Sequence, residues 1–220
     1  MTRANLSTLG LAAVLGLGLA PGAAGEGLPA PISVDSEGST GVEVSAGGAW
    51  SAVHLFGGVH DAGRHTAIVD VQVIRTFKVG ETWALDWRVG IVPMEMQTTE
   101  LIGGDSTGLL GGPPGRSLND SVYGAGLDPI GFGIRSRRGD WRPYATARGG
   151  FRVFQSPVPA PQGSRFNFAA TIGVGLQRRI GHTKWLSVGL DLHHVSNGGI
   201  QDYNPGINQL VLNIGCASMR

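Results

Sequence analysis

Three side chains near the end of the chain have the types and spacing for acyl-transfer chemistry. The stretch "LDLHHVSNGGIQDYNPGINQLVLNIG", Leu190 to Gly215, holds His194, Ser196 and, twelve residues after the serine, Asn208. A histidine can take the proton of a serine hydroxyl and so activate it as a nucleophile, and a third group can fix the imidazole. In an extended strand, side chains two apart share a face. His194 and Ser196 therefore continue the line of Leu186, Val188, Leu190 and Leu192, and Asn208 continues that of Leu210, Leu212 and Ile214. The connection "GGIQDYNPG" makes the two segments antiparallel neighbours, which brings Asn208 near His194. The polar groups thus sit on the apolar side. A His-x-Ser pair is a weak motif by itself, and polar residues at the rim of a strand are its plain alternative.

The elements that carry these residues show period-two alternation throughout. In "TWALDWRVGIV", Trp83, Leu85, Trp87, Val89 and Ile91 oppose Asp86 and Arg88. In "HTAIVDVQVIRTF", Ala67, Val69, Val71 and Val73 oppose Asp70 and Gln72. In "FNFAATIGVGLQRRI", Phe166, Phe168, Ala170, Ile172, Val174 and Leu176 oppose Asn167, Thr171 and Gln177. Such strands exceed the usual length of about five or six residues. Apolar stripes this long suit lipid, and backbone satisfaction in lipid demands closure. The expected fold is all-β: an eight-stranded antiparallel transmembrane β-barrel of the outer membrane, with strands near 41–56, 65–77, 82–96, 122–135, 141–154, 165–180, 185–197 and 207–217. "KVGE", "RSRRGD" and "GHTK" are its short turns, alternating with longer outer loops. Trp83, Trp141 and Trp185 follow those turns as an aromatic girdle would, although parity places Trp185 on the lumen face. Pro129 and several glycines make the fourth strand irregular.

Composition agrees. Of 220 residues, 41% are apolar and only 15% charged, against about 25% charged in soluble domains. A net charge of +1 without a basic run argues against nucleic acid as a partner. The start, "MTRANLSTLGLAAVLGLGLAPGAAGEG", reads as a secretory signal peptide over residues 1–25: a basic residue, a short apolar core and small residues for cleavage. Residues 26–220 then form a single barrel domain. The one cysteine, Cys216, excludes an internal disulfide.

Other groupings have plainer readings. His54, His60 and His65 flank the first outer loop without a repeated ligand spacing, so no metal is expected there. His193 and Asp191 share the lumen face as a structural pair, and Asp70, Asp86, Arg88 and Arg148 point inward as a salt-bridge network that fills a narrow barrel. Arg64, Arg116 and Arg165 near outer strand ends are suited to phosphates and equally to solvent.

"HHVSNGGIQDYNPGIN" closely resembles the signature of the PagL-type lipid A 3-O-deacylases, the acyloxyacyl hydrolase-like group. "RPYATARGGFRVF" and "FNFAATIGVGLQRR" support the resemblance more loosely. It implies an eight-stranded outer-membrane barrel that hydrolyses the ester-linked acyl chain at the 3 position of lipid A, with its site on the outer wall. Carried over by residue, the resemblance makes His194 the general base, Ser196 the nucleophile, and the backbone N–H groups of Asn197 and Gly199 the oxyanion hole. The implied partner is lipid A in the outer leaflet. No cofactor or metal is implied, and a homodimer stays open. The departure is Asn208, which stands where the family has a glutamate. An acid-to-amide change lowers kcat about 10⁴-fold in a serine protease. A slow esterase, recruitment of Asp202, or a structural barrel without turnover follow as alternatives.

Overall fold

In the computed structural model, which describes residues 35–49, 65–99, 120–158, 162–204 and 206–220, eight antiparallel strands form one closed barrel. They are β1 (Thr40–Ala49), β2 (His65–Val79), β3 (Trp83–Thr99), β4 (Asp120–Ser136), β5 (Trp141–Val158), β6 (Ser164–Arg179), β7 (Lys184–Ser196) and β8 (Ile207–Met219). Each pairs with its sequence neighbours, and β1 closes on β8 from Gly41–Met219 to Gly48–Leu212. The expected continuation of the first strand to 56 lies outside the described residues, as do residues 1–25, His54, His60, Arg64 and Arg116.

Alternation decides which side each residue takes. Val73, Val89, Ile91, Val174, Val188 and Leu212 point outward and stay exposed. In water such a continuous apolar surface would be a liability, whereas in lipid it is the required exterior. The fourth strand is irregular where Pro129 stands. Its pairing with β5 slips between Leu127 and Ile130, so that both face outward while Asp128 points in.

The lumen is filled by charge pairs. Arg152 binds Glu95 (2.8 Å) and Asp128 (2.7 Å); Arg88 binds Glu43 (2.7 Å); Arg148 pairs with Asp70 and with Asp191 (3.2 Å). All of these groups but the partly buried Arg148 are nearly sealed from solvent. Removing one partner of such a pair strands its mate in a low-dielectric interior, so the network specifies how the barrel is filled. His193 departs from its expected partner: Nδ1 meets Thr171 Oγ1 at 2.9 Å and Nε2 lies 3.5 Å from Glu95, while Asp191 goes to Arg148.

The short-turn end, which faces the periplasm in barrels of this kind, has a floor. Asp35, ahead of β1, accepts from Arg135 (2.5 Å) and Arg142 (2.6 Å), and Arg135 also holds Asp86 (3.0 Å). Trp185 is part of that floor and of no girdle. It is buried with Ile74, Ala217 and Met219, under the Arg142 guanidinium at 4.1 Å. No bulge interrupts β7, so parity prevails. Trp141 does face outward, as do Phe77, Trp87 and Phe132, whose rings pack in a row.

Candidate active site

The site is built on β7, β8 and the connection between them. In the β7–β8 register His194 faces Asn208, and Val195 faces Ile207. Val195 and Ile207 turn inward, where Phe154, Val158 and Ala169 bury them. Alternation therefore sends His194, Ser196 and Asn208 to the outer wall. His194 and Ser196 are half-buried there, and Asn208 is covered.

His194 Nδ1 is 2.8 Å from Asn208 Oδ1. An amide oxygen can only accept, so Nδ1 carries the proton and Nε2 is left as the basic nitrogen. Gly206 approaches both the imidazole and the serine. Its φ is +65°, and a Cβ there would stand 3.0 Å from His194 Cε1 and 3.8 Å from both His194 Nε2 and Ser196 Cβ. The left-handed turn thus brings the loop down onto the pair, and only glycine leaves the space open.

Asn197 organises the loop. Its Nδ2 donates to the Tyr203 carbonyl (2.9 Å), and its Oδ1 accepts from Gly199 N–H (2.9 Å). Its own N–H donates to Asn204 Oδ1 at 2.9 Å. The two N–H groups expected to face an oxyanion therefore already hold amide oxygens. Asn204 Oδ1 occupies the acceptor position opposite Asn197 N–H. Asp202 is exposed in the same loop, and His194 takes Asn208 as its partner.

Sequence reasoning passed over Asn204, Gly206 and Phe168. Asn204 and Gly206 flank the proline of "NPG", a turn motif whose chemistry shows only when the loop folds back. Phe168 lies in register with Ser196, and its ring packs where a Gly198 Cβ would be, 2.8 Å away. Nothing in the sequence spacing announces that contact.

A base, a hydroxyl and an amide on the lipid-facing wall of a closed barrel define a class: integral outer-membrane barrels with candidate chemistry directed at the bilayer. Residues 69–217 match the lipid A 3-O-deacylase (PagL) family. That span is well over half of the chain, and the chain belongs to this family. Among solved structures, the outer membrane enzyme PagL superposes at a TM-score of 0.56 and 19% identity, covering 80% of this chain and 97% of its own. Neisserial surface protein A (NspA) gives 0.43 at 9% identity, covering 83% and 97%, and Ail of Yersinia pestis 0.38 at 11%, covering 83% and 99%. No curated protein matches the chain.

Proposed function

We propose that the protein is an outer-membrane esterase that hydrolyses the acyl chain ester-linked at the 3 position of lipid A, using Ser196 and His194. The observation that carries this reading is the 2.8 Å contact between His194 Nδ1 and Asn208 Oδ1 on the outer wall, beside Ser196. A polar trio on a lipid-facing surface costs free energy. A substrate that is itself a membrane lipid accounts for its place there.

His194 Nε2 takes the Ser196 Oγ proton as Oγ attacks the ester carbonyl carbon. Asn208 Oδ1 holds the imidazolium that forms, through Nδ1–H. The carbonyl electrons move onto oxygen, and the Asn197 and Gly199 N–H groups stabilise that oxyanion once it displaces the amide oxygens of Asn204 and Asn197. The carbon–oxygen bond to the sugar breaks, and His194 returns the proton to the departing sugar oxygen. Water then attacks the acyl-serine, again with His194 as base, and releases the fatty acid. Residues 1–25 act as the signal peptide that delivers the barrel domain, 26–220, to the outer membrane.

A second reading rests on Asn208 itself. An amide stabilises an imidazolium far less than a carboxylate does, and a barrel could keep this geometry without turnover. The folded protein in detergent micelles, incubated with lipid A and analysed by mass spectrometry, separates the two. Loss of one 3-linked hydroxyacyl group in the parent, and not in Ser196→Ala, is expected. An intact lipid A in both the parent and Asn208→Glu would leave only the structural barrel.

A further inference from the structure

Four cations point outward from the wall at the short-turn end: Arg178 on β6, Lys184 on β7, Arg220 just past β8 and Arg75 on β2, all exposed. Register makes them neighbours. Arg178 faces Leu186, two residues from Lys184, and Lys184 faces Ser218, two residues from Arg220. Arg220 exchanges both backbone hydrogen bonds with Thr40, which in turn faces Arg75. The arc thus runs from β6 across β7, β8 and β1 to β2. A tryptophan bounds each end. Trp141 faces Arg178, whose guanidinium lies 5.3 Å from the indole centroid, and Trp87 faces Arg75. Among the described residues no strand acid answers them at this level. Glu43 and Asp86 are buried in the lumen, while Glu37, Glu81 and Asp140 lie beyond the strand ends.

The arc also lies at a definite depth. Lys184 and His194 are ten residues apart on β7, and Leu186, Val188, Leu190 and Leu192 take the lipid side between them. At about 3.3 Å per residue that is roughly 33 Å of strand. A tilt of about 40° reduces it to roughly 25 Å, the height of the apolar band in barrels of this kind. With His194 level with the outer headgroups, Lys184 is therefore level with the inner ones. Arginine and lysine at that depth lay their stems along the wall and hold their charge among headgroups. Indoles favour the same layer.

We propose that this arc is a docking site for the phosphate headgroups of anionic phospholipids in the inner leaflet. Charge complementarity carries the proposal: four cations side by side, no outward acid among them, and a guanidinium braced on an indole. A planar guanidinium can hold two phosphate oxygens at once, and the lysine adds a compact point charge. A zwitterionic headgroup offers its phosphate too, but its own ammonium offsets the attraction. The arc therefore selects lipids of net negative charge. Its wall is the one that carries His194, Ser196 and Asn208 at the opposite end, so bound lipid resists sinking or rising of that wall. The proposal needs no turnover at Ser196 and goes beyond the esterase reading.

The test uses two brominated lipids, phosphatidylglycerol and phosphatidylcholine, in vesicles that hold the folded protein. Bromine quenches indole fluorescence on contact, and Trp87 and Trp141 stand at the ends of the arc. The parent is expected to take phosphatidylglycerol about fivefold more strongly, the scale of one basic residue at an anionic surface. In a variant that combines Arg75→Gln, Arg178→Gln, Lys184→Gln and Arg220→Gln, the preference falls close to unity. Arg165→Gln, at the outer end of β6, keeps it. No preference in the parent, or an equal one in the combined variant, would overturn the docking site. A loss as large in Arg165→Gln would do the same, since it would assign the effect to overall charge. Salt gives a reading that needs no variant. Between about 0.1 and 1 M the screening length shrinks from about 10 to about 3 Å, and the parent's preference is expected to drop below about twofold. A preference that ignores salt would contradict the proposal.

Discussion

At the scale of the residue, the proposed mechanism makes Asn208 the group that sets how fast the site runs. Its Oδ1 fixes the imidazole tautomer as a carboxylate would, but it offers no charge to the imidazolium. Asn208→Glu is expected to raise kcat, by up to about 10⁴-fold if the whole acid-to-amide deficit is recovered. Equal rates in the two proteins would show that the charge is irrelevant here. Ser196→Ala is expected to lose at least about 10³-fold. Gly206→Ala tests the turn. A methyl at φ +65° costs about 1–2 kcal/mol and stands 3.0 Å from His194 Cε1. Displacing the ring by a fraction of an ångström is expected to cut kcat by about 10²-fold with the barrel still folded. An active Gly206→Ala variant would mean that the loop does not seat the histidine. His194, Ser196 and Asn208 were legible because a polar residue in an apolar stripe announces itself. Asn204 was not legible. Its contribution is one acceptor given to Asn197 N–H across seven residues of loop, and no periodicity encodes that.

At the scale of the element, strand parity carried the reading and also corrected it. Alternation in β2, β3, β6 and β7 was enough to sort lipid side from lumen side, because the side-chain period of a strand is two. Parity assigned Trp185 to the lumen, and its place after a turn suggested a girdle. Parity prevailed, since no bulge interrupts β7 and the indole closes the floor with Ile74 and Met219. The partners inside the lumen were less legible. Which arginine meets which acid depends on the tilt and stagger of eight strands, which no single strand reveals. His193 accordingly turned to Thr171 and Glu95, away from Asp191. Glu95→Ala is expected to destabilise the barrel by about 3 kcal/mol or more, because it leaves Arg152 and His193 short of an acceptor. Urea unfolding in lipid vesicles reads that loss. An unchanged midpoint would mean that Asp128 alone satisfies Arg152.

At the scale of the whole molecule, the closed barrel presents the candidate trio on its outside. The polar middle of the lumen is capped by two apolar clusters, Phe154–Val158–Ala169–Val195–Ile207 toward the site and Ile74–Trp185–Ala217–Met219 toward the floor. The first cluster lies directly behind His194 and Ser196, so the site is braced from within. With residues 1–25 proposed as a signal peptide, the mature protein is expected to have the mass of a chain starting near residue 26. The central claim is that the trio on the outer wall acts on the lipid it faces. Mass spectrometry of lipid A from cells that express the protein tests it most directly. Lipid A lighter by one hydroxyacyl group is expected with the parent protein, and full-mass lipid A with Ser196→Ala. Full-mass lipid A with the parent, folded and present in the outer membrane, would contradict it.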